Sequence, residues 1–323
     1  MTQEQPDLKT LIRRLEKRHQ KKQAATALVA GTLVLGLTAL VAPLFAREEV
    51  VPIAEAPVAE VAVAPEAFAD VRVEGKAAIV YDLATGEVLY EKNSRSQLPL
   101  ASLTKLLTIY AASEALAPRA TVTITDTALL SDGESGFVAG ERFAFSDLAK
   151  IALVSSSNDA TAAIAESAAL ARATTNKNLL AGAASALGLA QTYALNGTGL
   201  DESTSVSGAY GSAKDIAVLA GKFLETAPEI ARATVEPSYA IQSLDGVRHA
   251  LPNTNQEIVR IPNALLSKTG FTDLAGGNLA VVYDAGIGHP VAVVVLGSSR
   301  EGRFSDVNAL IARADRYFAG IGR

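Results

Sequence analysis

An uncharged run at residues 23–46 lies directly behind Lys9, Arg13, Arg14, Lys17, Arg18, Lys21 and Lys22, and it divides this chain before any other feature does. About twenty apolar residues are needed to cross a bilayer core, and residues 24–46 supply them. A positive flank stays in the cytoplasm, which places everything after Arg47 outside. The sequence therefore predicts a basic cytoplasmic tail over 1–23 and a transmembrane signal anchor over 24–46. A cleaved signal peptide would have a shorter apolar core and a small-x-small site. The candidate end, Leu44-Phe-Ala46, fits that poorly because leucine stands two before the alanine. Within the tail, Leu8, Leu11, Ile12 and Leu15 are helically spaced, but a simple topogenic charge cluster is the better reading of the segment.

Residues 47–73 read as a linker, because Pro52, Pro57 and Pro65 interrupt repeated Ala, Val and Glu. That leaves 74–323 as the globular domain. A net charge of -5 argues against a nucleic-acid surface, which would carry a basic excess. The chain has no cysteine, so disulfides, thiolate catalysis and cysteine-ligated metals are excluded.

Inside that domain, residues 77–82 and 87–91 flank a glycine-bearing turn and read as a β-hairpin. A helix follows at once, with Leu103, Leu106, Leu107, Tyr110 and Ala111 at helical spacing. Residues 121–200 alternate helix and polar loop. Ser146 is the expected N-cap of one helix, and Asp159 opens an alanine-rich one over 160–173. Residues 212–226 form another helix, and 239–243 with 247–251 flank Asp245-Gly246, a hairpin signal. Valine-rich strands at 279–283 and 291–296 precede a terminal helix starting near Ser305. Two strands, a helical block, more strands and a final helix describe an α+β domain, an antiparallel sheet flanked by helices with an inserted helical subdomain.

Three polar stretches are candidates for chemistry. In Leu100-Ala-Ser-Leu-Thr-Lys-Leu-Leu-Thr108, Ser102 and Lys105 stand one helical turn apart, so hydroxyl and amine can meet. A partly desolvated lysine is a neutral base, and a serine beside a base is a candidate nucleophile. An S-x-x-K match is expected roughly once by chance in a chain this long. In Ser155-Ser-Ser-Asn-Asp159, Ser156 could relay a proton and Asn158 could hold an amide, although such residues also favour ordinary turns. In Ser267-Lys-Thr-Gly-Phe-Thr272, a lysine and threonine on a strand edge could bind a carboxylate, and Gly270 would admit a close backbone approach. Each is weak alone. Together, S-x-x-K, S-x-N and K-T-G occur in that order, 54 and then 112 residues apart, and this trio marks penicillin-binding proteins and class A β-lactamases.

The surroundings resemble the low-molecular-mass penicillin-binding proteins of the D-alanyl-D-alanine carboxypeptidase family. The matching segments are Ala-Ile-Val-Tyr-Asp82, Leu98-Pro-Leu-Ala-Ser-Leu-Thr-Lys105, Val154-Ser-Ser-Ser-Asn-Asp-Ala160, Asn196-Gly-Thr-Gly-Leu200, Asn253-Thr-Asn255 and Lys268-Thr-Gly-Phe-Thr272. The resemblance implies a β-lactamase/transpeptidase-like fold and a penicillin-sensitive serine D-alanyl-D-alanine carboxypeptidase, with its catalytic domain outside a bacterial cytoplasmic membrane. Its substrate would be a peptidoglycan pentapeptide ending in D-Ala-D-Ala, and β-lactams would be covalent inhibitors. In these terms Ser102 attacks the carbonyl, Lys105 takes its proton, and the Ser102 and Phe271 N–H groups form the oxyanion hole. Ser156 and Lys268 pass a proton to the leaving nitrogen, while Asn158 orients Lys105 and the substrate amide. Thr269 grips the terminal carboxylate within a substrate-binding segment that also includes Gly270, Phe271 and Thr272. No cofactor or metal is implied.

Three alternatives are distinguishable. Class A β-lactamases use an extra glutamate in an E-x-x-L-N context, where this chain has Thr192. A D,D-endopeptidase of peptidoglycan cross-links would share every motif. A non-catalytic peptidoglycan-binding relative would usually have lost a motif residue, and none is lost here. A histidine triad is disfavoured, since His19 falls on the cytoplasmic side and His249 and His289 are expected at the surface. The chain departs from the family in reading Ser-Ser-Asn where Ser-Gly-Asn is commoner. It also stops after the terminal helix where many relatives continue into a β-rich domain, so the N-terminal anchor is expected to provide the tether.

Overall fold

A computed structural model describes residues 66–133 and 136–320. The expected cytoplasmic tail, the anchor and most of the linker lie outside the described residues, and among the described residues no helix is long and apolar enough to cross a membrane.

In chain order, strands β1 (Ala77–Asp82) and β2 (Val88–Lys92) form the expected hairpin, and the short β3 (Leu98–Pro99) leads through a 3-10 turn at Ala101–Leu103 into helix α1 (Thr104–Ala115). Then come β4 (Thr121–Thr123), β5 (Arg142–Ala144), α2 (Phe145–Val154), α3 (Asn158–Ala171) and α4 (Asn176–Ala186). Short strands β6 (Tyr193–Ala194) and β7 (Ala209–Gly211) precede α5 (Ala213–Thr226) and α6 (Pro228–Ala233). The chain closes with β8 (Ser238–Gln242), β9 (Arg248–Pro252), β10 (Ala264–Thr272), β11 (Gly276–Asp284), β12 (Pro290–Ser298) and α7 (Gly302–Phe318).

The backbone of the domain is a five-stranded antiparallel sheet in the order β10-β11-β12-β1-β2. Side chains alternate across a strand, and both faces here are covered, so the strands are apolar throughout. Ile79, Ala280, Val282, Ala292 and Val294 face one core with α1 and α5. Ala78, Val80, Val281, Val293 and Val295 face a second core, with Val307, Leu310, Ile311 and Ala314 of α7. This is the α+β architecture expected, with α1–α4 as the inserted helical block. Residues 66–73, which composition places in the linker, are packed: Phe68 is buried and stacks on Tyr90 at 5.7 Å.

Helix α1 differs from expectation in a way that matters for chemistry. Rather than showing one apolar stripe, its first turns are buried on every side, from Thr104 through Ile109. A helix hydrophobic all round belongs in an interior. The alanines of α3 (Ala160, Ala163 and Ala168 are fully buried) allow the close helix packing that seals it.

Several helix starts shift. Helix α2 begins at Phe145, and Ser146 is not its cap; backbone carbonyls of Ala120 and Pro118 accept from the N–H groups of Phe145 and Ser146 instead. Helix α3 is capped by Ser157, whose Oγ accepts from Ala160 N at 3.1 Å, so the helix opens one residue before Asp159. Helix α7 begins at Gly302 rather than Ser305, with Ser299 Oγ accepting from Gly302 N at 2.9 Å. His249 is not at the surface. Its ring packs against Phe137 and Phe143, and its Nε2 lies 2.7 Å from Oε1 of buried Glu141. His289 is half-buried, 2.7 Å from Asp82 Oδ2.

Candidate active site

The Ser102 end of the site is built by a strand that stops abruptly. Strand β3 pairs with β7 through Leu98↔Gly211 and Pro99↔Tyr210. Two residues on, Ala101 takes a left-handed φ of 48°, which turns the chain into the 3-10 turn carrying Ser102. Such a φ costs a non-glycine residue about 1–3 kcal/mol, so surrounding contacts must hold it. Thr104 Oγ1 donates to Ala101 O at 2.7 Å. Gly199 packs so closely that a Cβ there would overlap that same carbonyl. Asn278 of β11, fully buried, donates through Nδ2 to the carbonyls of both Pro99 and Leu100 at 3.0 Å, while its Oδ1 accepts from Gly297 N at 2.8 Å. One side-chain amide thus ties the segment leading to Ser102 to the central sheet.

Lys105 has no solvent exposure. Its Nζ donates to Ser102 Oγ at 2.8 Å, to Asn158 Oδ1 at 2.7 Å and to the Thr198 carbonyl at 3.0 Å. All three partners are neutral, so nothing offsets the cost of burying a charge, and desolvation brings its pKa down from 10.5 to about 7. The amine is then available as a base near neutrality. Asn158 is itself held through Nδ2 by the Asp132 carbonyl.

The middle motif sits at the junction of α2 and α3, with Ser156 in the left-handed region at φ 60°. Its Oγ accepts from Lys268 Nζ at 2.9 Å, and the same amine donates to Thr269 O at 2.9 Å. Lys268 is buried, and desolvation, with the neighbouring Lys105 and Arg303 cations adding to it, holds its pKa well below the usual lysine value.

Strand β10 is an edge strand, which lets Lys268 and Thr269 lie beside the Ser102 turn rather than beneath a further strand. Gly270 explains how close it comes: a Cβ there would stand 2.9 Å from Leu100 O and 3.2 Å from Ser102 N. The Thr269 hydroxyl donates to Thr254 Oγ1 at 2.6 Å. The Phe271 ring lies under the Arg300 guanidinium at 3.8 Å. Thr272 donates to Asp201 Oδ1 at 3.0 Å, and Asp201 Oδ2 accepts from Leu274 N at 3.3 Å, so Thr272 anchors the end of the strand. Arg303 at the start of α7 is buried and donates to Gly270 O at 2.7 Å.

The structure thus joins Ser102, Lys105 and Asn158 in one hydrogen-bonded group and Ser156, Lys268 and Thr269 in a second beside it. Sequence reasoning had no role for Thr198, Thr254, Asp132, Asn278 or Arg303. Thr198 and Thr254 lie in Asn196-Gly-Thr-Gly-Leu200 and Asn253-Thr-Asn255, segments that already carried the resemblance. Asn278 and Arg303 act through backbone carbonyls, which leaves no motif to read. Thr192, at the position where a β-lactamase would carry glutamate, donates to Asp215 Oδ2 at 2.8 Å and offers no carboxylate.

A profile of the D-alanyl-D-alanine carboxypeptidase family, peptidase S11, matches residues 61–300. D-alanyl-D-alanine carboxypeptidase DacF of Bacillus subtilis is 30% identical over 263 residues, covering 77% of this chain and 66% of that protein. The chain thus spans about two thirds of the length of that relative. A D-alanyl-D-alanine endopeptidase of Pseudomonas aeruginosa is also 30% identical, over 72% of this chain and 74% of its own. Among solved structures, penicillin-binding protein D2 of Listeria monocytogenes in a cefotaxime-bound form superposes with a TM-score of 0.64 at 27% identity, over 76% of this chain and 98% of that one. A family profile running through all three motifs, on a fold that brings them together, means that this chain belongs to the D-alanyl-D-alanine carboxypeptidase family.

Proposed function

We propose that this protein is a serine-type D-alanyl-D-alanine carboxypeptidase that trims peptidoglycan stem peptides through an acyl-enzyme at Ser102. The observation that carries the reading is a fully buried Lys105, with a pKa near 7, donating to the Ser102 hydroxyl at 2.8 Å. A nucleophile, a base and an orienting amide within hydrogen-bond reach form the set that acyl transfer requires.

In the first step neutral Lys105 takes the Ser102 proton as Oγ bonds to the carbonyl carbon of the penultimate D-Ala. The oxyanion that forms is stabilised by the N–H groups of Ser102 and Phe271. The C–N bond then breaks. Ser156, hydrogen-bonded to Lys268, hands a proton to the leaving D-Ala nitrogen, and the proton taken by Lys105 restores the count. Thr269 holds the terminal carboxylate. Water, giving a proton to Lys105, attacks the ester, and Ser102 leaves with a proton while the shortened peptide gains a carboxylate.

The uncharged run of 24–46 behind a basic flank supports the further reading that the domain is tethered outside a cytoplasmic membrane. The Thr192–Asp215 contact supports penicillin sensitivity, since no deacylating carboxylate occupies that position. Intact-mass spectrometry of the detergent-solubilised full chain with benzylpenicillin, beside Ser102→Ala, tests the proposal. The expected result is a lasting gain of one penicilloyl group in the wild type alone. Absence of both an adduct and hydrolysis in the wild type would overturn it, and rapid turnover of the drug would make the protein a β-lactamase.

A further inference from the structure

Arg303, at the start of α7, is a buried cation with no carboxylate bonded to it. Among the described residues it forms no ion pair, and its Nε is buried without a hydrogen-bond partner. Burial, with the Arg300 cation adding to it and Glu301 partly opposing, lowers its pKa from 12.5 to about 10, so the guanidinium is charged at neutral pH. Taking a charge out of water and leaving a donor unmade both cost free energy. Tying α7 to the sheet would not need that cost, since a neutral amide also donates to a carbonyl.

What the cation holds is one carbonyl of the third motif. Its Nη1 donates to Gly270 O at 2.7 Å, the length of a charge-assisted bond. Gly270 C=O and Phe271 N–H belong to one planar trans peptide, so they point in opposite directions. Helix α7 packs over β11, β12 and β1, with Val307, Leu310 and Ala314 in one core with Val281, Val293 and Val80. Strand β10 pairs on that side alone, with Gly270 opposite Asn278 and Phe271 opposite Gly277. The carbonyl held by Arg303 therefore faces into the sheet, and the Phe271 N–H faces the free edge. Ser102 lies at that edge, since a Cβ on Gly270 would stand 3.2 Å from Ser102 N.

We infer that Arg303 is a positioning residue for the oxyanion hole: its charge polarises the Gly270–Phe271 peptide and fixes the direction of the Phe271 N–H, strengthening that donor where the oxyanion forms. A hydrogen bond accepted by a peptide carbonyl strengthens the bond that its N–H gives, and a dry interior enlarges the effect. Arg303 takes no proton and touches no substrate. Its effect belongs to the transition state, because full negative charge on the carbonyl oxygen develops only there. The inference rests on the acyl-enzyme reading above, in which the Ser102 and Phe271 N–H groups receive the oxyanion.

The test uses the detergent-solubilised full chain as wild type, Arg303→Met, Arg303→Gln and Arg303→Lys, with benzylpenicillin isotopically labelled at its β-lactam carbonyl. Isotope-edited infrared spectra of the acyl-enzyme read the ester carbonyl stretch, which falls in frequency as hydrogen bonds to that oxygen strengthen. Stopped-flow kinetics separate the acylation rate constant from the dissociation constant of the non-covalent complex. In Arg303→Met the stretch should move to higher frequency and acylation should slow roughly tenfold, less than the 10²–10³ of a lost oxyanion donor, with the dissociation constant within twofold. Arg303→Gln, which keeps an amide in the space, should shift the same way and serves where Arg303→Met does not fold. Arg303→Lys keeps the charge and should lie closer to the wild type on both readouts. A stretch at the wild-type frequency in whichever neutral variant folds overturns the inference, whatever the rates, and leaves Arg303 as a tie between α7 and β10. A lysine variant no closer to the wild type than the neutral ones overturns the part given to the charge. Absence of a penicilloyl adduct in the wild type overturns the acyl-enzyme reading itself.

Discussion

Lys105 and Thr269 show how a residue's job follows from its neighbours. A lysine donating to three neutral oxygens in a dry interior has no carboxylate to keep it charged, and its pKa falls to about 7. Penicilloyl acylation should therefore rise as pH increases through about 7 and reach a plateau above it, because only the neutral amine can take the Ser102 proton. Stopped-flow acylation rates from pH 5.5 to 9 check this, and a rate independent of pH would remove Lys105 from the base role. Lys105→Arg, which stays charged, should lower the rate by roughly 10²–10⁴, the usual scale of a lost general base. Thr269 presents a different case. A carboxylate needs a donor, yet the Thr269 hydroxyl is spent on Thr254. When substrate arrives the pair must reverse, with Thr254 donating to Thr269 and Thr269 to the carboxylate. Thr254→Val should thus raise KM for a pentapeptide several-fold to roughly tenfold with kcat little changed, in line with ~0.5–1.5 kcal/mol for one hydrogen bond. A fall in kcat with unchanged KM would instead assign Thr254 a structural role. The serine–lysine pair was legible from i,i+3 spacing. The Thr254 contact was not, since it joins residues fifteen positions apart on separate strands and loops.

At the scale of elements, the site depends on three pieces arriving at one place: the 3-10 turn before α1, the α2–α3 junction and the edge strand β10. The junction is held by a helix cap. Ser157→Ala removes the Oγ that accepts from Ala160 N and should cost about 1 kcal/mol, read as a shift in urea midpoint at unchanged m-value. The approach to Ser102 is held by Asn278, whose amide makes three hydrogen bonds to main-chain groups of two other segments. Asn278→Leu keeps the approximate size but removes the donor to the Pro99 and Leu100 carbonyls and the acceptor for Gly297 N in the interior. It should slow acylation more than it lowers affinity for a non-covalent substrate analogue, and equal losses in both would argue for general unfolding instead. The elements themselves were largely readable. Period-2 and period-3.6 patterns found the β1–β2 hairpin, α5, the β8–β9 hairpin, β11 and β12 within a residue or three. The starts of α2 and α7 were misplaced for the same reason in each case: capping was done by groups that precede the expected cap or belong to another segment.

At the scale of the molecule, the two buried lysines set a cost that the rest of the fold must carry. Lys105 has a folded pKa of about 7 against 10.5 for the exposed chain, so between those values the unfolded state binds more protons. Stability contributed by this group therefore rises with pH from about 7 to 10.5, and Lys268 acts in the same direction. Thermal unfolding at pH 7 and pH 9 should show a positive slope that is smaller in Lys105→Met than in the wild type; identical slopes would mean the amine is not desolvated. The tether can be tested separately, since deletion of residues 24–46 should move the protein from the membrane pellet to the soluble fraction while benzylpenicillin acylation persists. By itself the sequence determined the longer strands and helices, the three motifs and their order, though not the short strands β4, β5 and β6 within 121–200, because periodicity and short-range spacing are properties of the chain alone. Only the tertiary structure decided that the first turns of α1 are buried on all sides, that Gly270 comes close to Ser102, and that Thr254, Asn278 and Arg303 hold the site. Those facts depend on which distant surfaces exclude water from one another, and no local pattern records that.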